Sequence, residues 1–286
     1  MPGTLYVVST PIGNLEDITH RAVRILGEVD LIACEDTRHT RKLLERYGIK
    51  TRTISYHEHN EQERSRELVD LLADGTNLAI VSDAGTPGIS DPGFRLVRLA
   101  IAKQLPVVPV PGPNALITAL VASGLPTDEF FFGGFLPARS GARQARLNEL
   151  RSIPGTLIFY EAPNRLAAAL SDAHEILGER QAVVARELTK LHEEIGRGRL
   201  SELATRFSSV ESARGEIVLI IDRKVIEGEP RESNPNTSIG ILIETLEKSG
   251  LDHRAALKKA ARELGLSRAE AYRRLVAERS RSEEQK

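Results

Sequence analysis

One stretch decides the fold prediction for this chain: Ser82-Asp83-Ala84-Gly85-Thr86-Pro87-Gly88-Ile89-Ser90-Asp91-Pro92-Gly93. Residues 78–81 before it form a short apolar run typical of a buried strand, and residues 94–103 after it have helical spacing. The loop therefore follows the carboxyl end of a strand, where open α/β sheets bind ligands. Its glycines let a ligand approach the main chain, and its prolines stiffen it. An ordinary β-α turn is the alternative, although such turns usually have only about 2–6 residues.

The chain on either side of this loop alternates strand and helix. Apolar, β-rich runs predict strands at residues 5–9, 31–34, 51–55, 78–81 and 106–110. Helical patterns lie between them, at residues 19–26, 40–47, 61–73 and 94–103. This repeat is typical of a largely parallel sheet with helices on both faces. We therefore predict an α/β domain over residues 1–123.

A second α/β domain is predicted over residues 124–222. It begins at a Gly-Leu-Pro-Thr joint, residues 124–127, after which strands are expected at residues 129–132, 156–160, 181–185 and 216–221. Helices are expected near residues 142–151 and 165–177. The crevice between the two domains is the default ligand site. Residues 223–236 combine glycine, prolines and many charges and are predicted to be a linker.

Residues 237–286 are predicted to form a small helical module. Three amphipathic segments are separated by Gly250 and Gly265, and residues 254–281 contain nine basic and three acidic residues. Two helices across a glycine turn, the second one basic, are typical of a helix-turn-helix module with a polyanionic partner. A plain helical appendage with solvated charges remains the alternative.

Composition restricts the class of protein. The chain has 286 residues, of which 41% are hydrophobic and 28% charged, and its formal net charge is −1. This is a globular composition with no run long enough to span a bilayer, so we expect a soluble protein without a membrane partner. The single cysteine, Cys34, fits a reducing, cytoplasmic location. His57-Glu58-His59 lacks a further ligand set, so no metal is expected.

Three loops carry the candidate chemistry, those beginning at Thr10, Ser82 and Pro111. Each follows a strand of the same predicted parallel sheet, so they are expected to meet at one edge of it. None contains the dinucleotide fingerprint or a phosphate-binding loop. Small, neutral, glycine- and proline-rich loops favour a ligand held by main-chain hydrogen bonds in a bent shape.

Several motifs in order carry a family resemblance. They are Thr10-Pro11-Ile12-Gly13-Asn14-Leu15-Glu16-Asp17-Ile18-Thr19, Glu35-Asp36-Thr37-Arg38-His39-Thr40, residues 82–87, Pro111-Gly112-Pro113, Gly134-Phe135-Leu136-Pro137, Phe159-Tyr160-Glu161 with Arg165, and Ala185-Arg186-Glu187-Leu188-Thr189-Lys190. Together they resemble the small-subunit ribosomal RNA methyltransferases among the tetrapyrrole-methylase-like, class III S-adenosylmethionine-dependent methyltransferases. The resemblance covers nearly the whole chain.

The resemblance implies a fold, a donor and a substrate. It implies two α/β domains with folded S-adenosylmethionine between them, a homodimer, and methyl transfer to a ribose 2′-hydroxyl. The implied acceptor is the cytidine conventionally numbered 1402 in the 16S ribosomal RNA of the 30S subunit. Porphyrin-methylating relatives usually have Gly-x-Gly where this chain has Pro11-Ile12-Gly13, and this departure favours the ribosomal branch.

Site residues follow from these motifs. We predict that the methyl donor contacts Pro11, Gly13, Asp83, Ala84, Gly85, Thr86, Pro87, Pro111, Gly112 and Pro113. A base or cation would help the weakly nucleophilic hydroxyl. Asp36, Glu161 and Glu187 are the predicted catalytic residues, with Glu35 and Lys190 as further candidates. Each has a structural alternative: Asp36 as a helix cap, Glu187 and Lys190 as an ion pair.

Basic residues in two regions are predicted to bind RNA. Arg139, Arg143, Arg146 and Arg151 recur along a predicted helix, an arrangement suited to phosphates, with a solvated basic face as the alternative. The full predicted set is Arg38, Arg139, Arg143, Arg146, Arg165, Lys258, Lys259, Arg273 and Arg274.

Three functions from different classes therefore compete. The first is the ribosomal RNA methyltransferase. The second is a tetrapyrrole or other small-molecule methyltransferase, against which the basic tail argues. The third is a nucleic-acid-binding metabolite sensor without enzymatic activity. The pattern of loops does not separate sensing from turnover, so the resemblance decides in favour of the first.

Overall fold

The chain divides into two units, Met1–Lys224 and Val225–Lys286. The computed structural model describes residues 1–208, 215–223, 238–248, 250–264, 266 and 268–283. Apart from residue 223, the predicted linker lies outside these residues. The other domain boundaries stay predictions, although the one at 123/124 falls between the last helix of the first half and the first strand of the second.

A five-stranded parallel sheet organises the first half of the first unit. Its strands are β1 (Leu5–Val8), β2 (Leu31–Cys34), β3 (Thr53–Ser55), β4 (Leu78–Val81) and β5 (Val107–Val110). They lie in the order β3-β2-β4-β1-β5, with every pair parallel. The predicted strand-helix repeat and its parallel sheet are confirmed. Parallel order brings the carboxyl ends of β1, β4 and β5 to one edge.

Helices cover both faces of this sheet. They are α1 (His20–Glu28), α2 (Thr37–Arg46), α3 (Glu61–Ala73) and α4 (Phe94–Ala102). Alternate strand residues face opposite sides: Leu78 and Ile80 pack with α3 and α4, whereas Ala79 and Val81 pack with α1 and α2. Both faces are buried, which explains why these strands are continuous apolar runs.

The second half contains a mixed sheet. Its strands are β6 (Phe130–Phe135), β7 (Thr156–Glu161), β8 (Gln181–Arg186), β9 (Glu194–Arg199) and β10 (Ile217–Ile221), in the order β6-β7-β10-β8-β9. Among the strands that the structure describes in this sheet, only β6 and β7 pair in parallel. The sequence did not predict β9, because this edge strand is Glu-Ile-Gly-Arg-Gly-Arg and lacks an apolar run.

Helices also cover both faces of the second sheet. One face packs against α6 (Ser140–Leu150), α7 (Leu166–Leu177) and α8 (Leu200–Arg206). The other packs against α5 (Ala115–Ser123), which precedes the second sheet in the chain. Leu116, Ala119 and Leu120 of α5 share one apolar cluster with Val218 and Ile220 of β10. The sequence predicted neither α5 nor α8. The packing of α5 joins the two halves of this unit.

The described residues of the second unit form a cluster of three helices, as predicted. These are α9 (Ile239–Lys248), α10 (His253–Glu263) and α11 (Arg268–Glu283). Each helix contributes buried residues to a common core, for example Ile243 from α9, Leu257 from α10 and Leu275 from α11. Glu278 accepts hydrogen bonds from the backbone amides of Ile239 (3.1 Å) and Gly240 (2.9 Å), which stabilises the N-terminus of α9. None of the helices in the described residues is long and apolar enough to cross a membrane.

The packing between α5 and the second sheet can be tested by measuring protein stability. Ile220 is fully buried in it, so Ile220→Ala is expected to reduce the free energy of unfolding by about 2–5 kcal/mol, as for other large-to-small core substitutions. Val121 lies on α5 and is 70% exposed, so Val121→Ala serves as the control and should change stability by less than about 0.5 kcal/mol. Urea unfolding of both variants measures the difference. Equal stabilities would contradict this packing.

Candidate active site

The three predicted loops meet at the carboxyl edge of the first sheet. Thr10 and Gly85 exchange two backbone hydrogen bonds, Thr10 N to Gly85 O at 2.8 Å and Gly85 N to Thr10 O at 3.0 Å. The hydroxyls of Ser9 and Thr86 lie 2.9 Å apart, and Thr86 Oγ1 donates to Pro113 O at 3.3 Å. These bonds join the ends of β1, β4 and β5, which confirms the expected convergence.

A cavity of about 430 Å³ opens beside these loops, between the two halves of the first unit; we call it the donor cavity. Its wall is formed on one side by Ile12 and the loop after β4, and on the other by β7, Leu188 and the start of β10. Its volume is within the usual range for small-molecule sites. The position of the donor cavity agrees with the sequence prediction of a ligand site in the crevice between the two α/β domains.

Four of the ten residues predicted to contact the donor line this cavity: Asp83, Ala84, Gly85 and Thr86. The other six are not part of its wall. A Cβ on Gly112 would lie 2.9 Å from Ser9 Cβ, so this glycine allows the loop after β5 to approach β1. A Cβ on Gly13 would lie 2.5 Å from Lys190 Cγ, so Gly13 allows the first loop to approach the loop after β8. These glycines serve packing between loops.

The remaining four predicted donor residues are prolines that shape the loops. Pro11 is buried and lines a separate cavity of about 30 Å³ with His39 and Thr40. Pro113 supplies the carbonyl that Thr86 binds. Pro87 is buried and Pro111 is exposed. Direct contact between a ligand and these six residues stays a prediction.

The donor cavity is acidic. Five carboxyl groups line it, those of Glu35, Asp83, Asp91, Glu161 and Glu216. Among the described residues, no lysine, arginine or histidine lines the same cavity. Opposite charges attract strongly where solvent is partly excluded. The cavity therefore favours a ligand that carries positive charge over a phosphate-rich one.

Several ionisable groups of the cavity have shifted pKa values. Burial raises the pKa of Asp91 to about 6, and the neighbouring Glu35 carboxylate adds to the increase. Burial, followed by the charge of Asp83, raises the pKa of Glu35. Burial also raises the pKa of Tyr160 to about 12. Carboxyl groups with raised pKa values in a cleft are typical of functional sites.

Glu161 is the predicted catalytic residue that lines the donor cavity. Glu161 lines the cavity and is buried, where its carboxylate accepts from the Ala162 amide at 2.8 Å and pairs with Arg165 at 3.1 Å. Burial raises its pKa. This ion pair holds the Glu161 carboxylate in place at the cavity wall.

Asp36 and Glu187 do not line the donor cavity. Asp36 is the N-cap of α2, accepts from the Arg38 amide at 2.8 Å and pairs with the Arg38 guanidinium, which lowers its pKa to about 2. Glu187 pairs with Lys190 at 2.9 Å and accepts from the Glu216 amide at 3.1 Å. The structural alternatives for these residues, a cap and an ion pair, agree with the geometry. A carboxylate with so low a pKa is a weak base.

Sequence reasoning missed several residues of the cavity wall. Asp91 and Ser90 belong to the loop that decided the fold prediction, yet neither was chosen as a site residue. Ser90 has φ +63°, a left-handed conformation that is uncommon outside glycine and often marks functional loops. Tyr160 and Glu216 come from the second sheet and its flank. Tyr160 had a sequence signal, since it lies inside the Phe-Tyr-Glu motif, whereas Glu216 had none.

The basic residues predicted to bind RNA differ in their availability. Arg139 is exposed, whereas Arg146 pairs with Glu149 at 2.8 Å and its guanidinium lies 5.9 Å from the Phe131 ring. Arg38 and Arg165 pair with the carboxylates already described. In the second unit Lys258 and Lys259 are exposed, and Arg273 and Arg274 are exposed beside Glu270. Their contact with RNA stays a prediction.

The prediction is wrong for Arg143. This side chain is buried, with 3% of the residue exposed. Its Nη2 lies 2.6 Å from the Asp172 carboxylate, and its Nη1 donates to the carbonyls of Pro137 and Ala138. The regular arginine spacing suggested one exposed face, but the helix turns this position towards α7. Arg143 therefore holds α6 to α7 and is not available to a phosphate.

Comparison with known proteins shows the family to which this chain belongs. Residues 4–204 match the model of the Tetrapyrrole (Corrin/Porphyrin) Methylases. A crystal structure of diphthine synthase is similar, with TM-score 0.60 and 15% identity, covering 77% of this chain and 90% of that one. A uroporphyrin-III C-methyltransferase from Thermus thermophilus, complexed with S-adenosylhomocysteine, gives TM-score 0.55 at 21% identity, covering 78% and 99%. The chain belongs to the tetrapyrrole methylase family.

More similar relatives narrow the family. The protein named ribosomal RNA small subunit methyltransferase I from Micromonospora olivasterospora is 47% identical over 97% of this chain and 88% of its own. The protein of the same name from Synechocystis is 47% identical over 94% of this chain and 96% of its own. Within the tetrapyrrole methylases, this chain belongs with the small-subunit ribosomal RNA methyltransferases I, as its motifs indicated.

The correction for Arg143 can be tested by stability. Arg143→Ala leaves Asp172 buried without its cation, so we expect the free energy of unfolding to fall by about 3–5 kcal/mol in urea titrations. Arg139→Ala, a matched change on the exposed residue that precedes the same helix, should cost less than about 0.5 kcal/mol. Native stability in Arg143→Ala together with weaker RNA binding would restore the original prediction.

Proposed function

We propose that this protein transfers the methyl group of S-adenosylmethionine to the ribose 2′-hydroxyl of cytidine 1402 in 16S ribosomal RNA. The observation that carries the chemistry is the acidic donor cavity at the carboxyl edge of the first sheet. The relatives named ribosomal RNA small subunit methyltransferase I support the choice of acceptor.

The charge of the cavity suits this donor. S-adenosylmethionine carries a positive sulfonium, and five carboxyl groups with no basic residue among the described wall residues favour a cation. Transfer of the methyl group leaves a neutral thioether, so attraction to the carboxylates falls as the product forms. Gly85, whose backbone is held by Thr10, lets the ligand approach the main chain.

Alignment is the main task of the wall residues. Methyl transfer from sulfur to oxygen is an in-line displacement, and good orientation of two reactants contributes about 7–11 kcal/mol to lowering the barrier. The loops that would hold the donor are bonded to one another and to the end of β1, so their positions depend on the core of the sheet.

The proposal includes partners and location. The acceptor is the 30S subunit, the protein acts as a homodimer, and both meet in the cytoplasm. The exposed apolar side chains of Val121 and Leu191, at 70% and 93%, support a protein partner on the first unit. The exposed cations of the helical unit, including Lys258, Lys259 and Arg273, support contact with a polyanion.

The acceptor can be identified directly. Labelled S-adenosylmethionine is incubated with the protein and with 30S subunits from cells that lack it, and the modified nucleotide is located by mass spectrometry. We expect one label, on the ribose of cytidine 1402. Transfer to a porphyrinoid but not to 30S subunits would favour a tetrapyrrole methyltransferase, and donor binding without any transfer would favour a metabolite sensor.

The donor site has its own test. Gly85 has φ +79°, and a Cβ there would lie 3.4 Å from Ile12 Cγ2 on the cavity wall, so Gly85→Val should abolish S-adenosylmethionine binding in calorimetry. Gly48 has φ +66° but no atom within 4 Å of an added Cβ, and it does not line the cavity. Gly48→Val therefore imposes comparable backbone strain and should bind the donor normally. Unchanged affinity in Gly85→Val would reject this loop as the donor site.

A further inference from the structure

A second cavity adjoins the donor cavity. It has a volume of about 520 Å³ and lies between α3, α4 and the loop of residues 90–93. Ser90 and Asp91 line both cavities, so these two residues form a common wall. We call the second one the basic cavity, because three arginines line it: Arg66, Arg95 and Arg98.

The arginines of the basic cavity are only partly neutralised. Arg95 pairs with Glu61, its Nε lying 3.3 Å from the carboxylate. Arg66 and Arg98 are exposed, and neither forms an ion pair within the described part of the chain. Glu58 and Asp91 are further carboxyl groups on the wall. Two uncommitted guanidinium groups facing one cavity suit the phosphates of a polyanion, which they can bind through paired hydrogen bonds.

An aromatic ring adds a feature that favours nucleic acid. Phe94 begins α4, lines the basic cavity and is 67% exposed. Exposed aromatic rings stack on unpaired bases whatever their sequence. A cavity with arginines and an exposed phenylalanine therefore fits a single-stranded nucleotide segment better than an acidic peptide.

Asp91 has the position required of a group that contacts both reactants. It is half-buried between a cavity suited to a cation and a cavity suited to a polyanion. On the donor side Glu35, Asp83 and Glu216 face it, and Ser82 supplies a hydrogen bond. On the other side it faces the walls that carry the basic cavity's arginines and its two glutamates, Glu58 and Glu61.

We propose that the basic cavity holds the RNA strand beside the target ribose through Arg66, Arg95 and Arg98, and that Asp91 accepts the proton of the 2′-hydroxyl. This inference rests on the proposed function and names the acceptor subsite and the base for the same reaction. As the oxygen lone pair forms the new bond to the methyl carbon, the carbon–sulfur bond breaks and its electrons stay on sulfur. The hydroxyl proton passes to the Asp91 carboxylate and then to solvent.

The acidity of Asp91 suits this role. Its raised pKa of about 6 leaves it ionised at neutral pH but a stronger base than an ordinary aspartate. The rate of methyl transfer should therefore rise with pH through about 6 and then level off. Glu35 lines the same donor cavity, and burial raises its pKa as well.

The strand-binding part is tested by charge reversal. Arg66→Glu/Arg98→Glu should weaken binding to unmethylated 30S subunits by at least about tenfold and reduce the slope of log K against log salt by about two. Calorimetry should find normal S-adenosylmethionine affinity. Arg21→Glu/Arg46→Glu reverses two exposed arginines on α1 and α2, which cover the opposite face of the sheet, and should bind as the wild type does. A native affinity and salt slope in the first variant would overturn the basic cavity as the RNA subsite.

The proton-accepting part is tested by single-turnover methylation at saturating donor and 30S subunits. Asp91→Asn should slow transfer by about 10²–10⁴-fold and abolish its pH dependence near 6, with both binding affinities retained, and Asp91→Glu should recover part of the rate. Asp70→Asn, which removes an exposed carboxylate of α3, is the matched control. A wild-type rate in Asp91→Asn would reject this base while leaving the proposed function intact. Absence of transfer by the wild-type protein would instead reject the proposed function and this inference with it.

Discussion

The apolar layer between α5 and the second sheet is the constraint on which the site depends. Leu120 of α5 and Ile220 of β10 lie in this layer, and so does Ile12 from the loop after β1. Ile12 also lines the donor cavity. Apolar burial contributes about 25 cal/mol per Å² and is not directional, so the layer alone does not select a geometry. Close packing does, since well-packed cores deform little. The width of the cavity is therefore set by the same side chains that hold the two sheets together.

Charge is divided between two neighbouring cavities with a common wall. Five carboxyl groups and, among the described residues, no basic side chain line one cavity, whereas three arginines and three carboxyl groups line the other. On the proposed function, this division separates a cationic donor from a polyanionic acceptor until the reacting atoms meet. Asp91 and Ser90 lie at the boundary, on a loop that has a left-handed conformation at Ser90.

The sequence predictions failed mainly where a residue or strand depends on contacts with distant parts of the chain. The strands of the parallel sheet were predicted because burial on both faces requires continuous apolar runs. β9 was missed because an edge strand of alternating glycine and charge gains its stability from pairing with β8. Arg143 was assigned to an exposed basic face because arginines recur along its helix, whereas the Asp172 carboxylate from α7 makes its burial favourable. Asp36 was correctly recognised as a possible cap, which depends on adjacent residues alone.

The sequence by itself determined the local chemistry of this protein: the strand-loop-helix units, the glycine- and proline-rich loops and the family motifs. These depend on backbone preferences and periodicity, which neighbouring residues specify. Only the tertiary structure decided which groups meet. Glu35 follows β2, Asp91 follows β4 and Glu216 precedes β10, yet all three face one cavity. Their approach requires the strand order of two sheets and the packing of α5 across them. Strand order and interhelical packing are contacts between distant parts of the chain, and no local pattern encodes them.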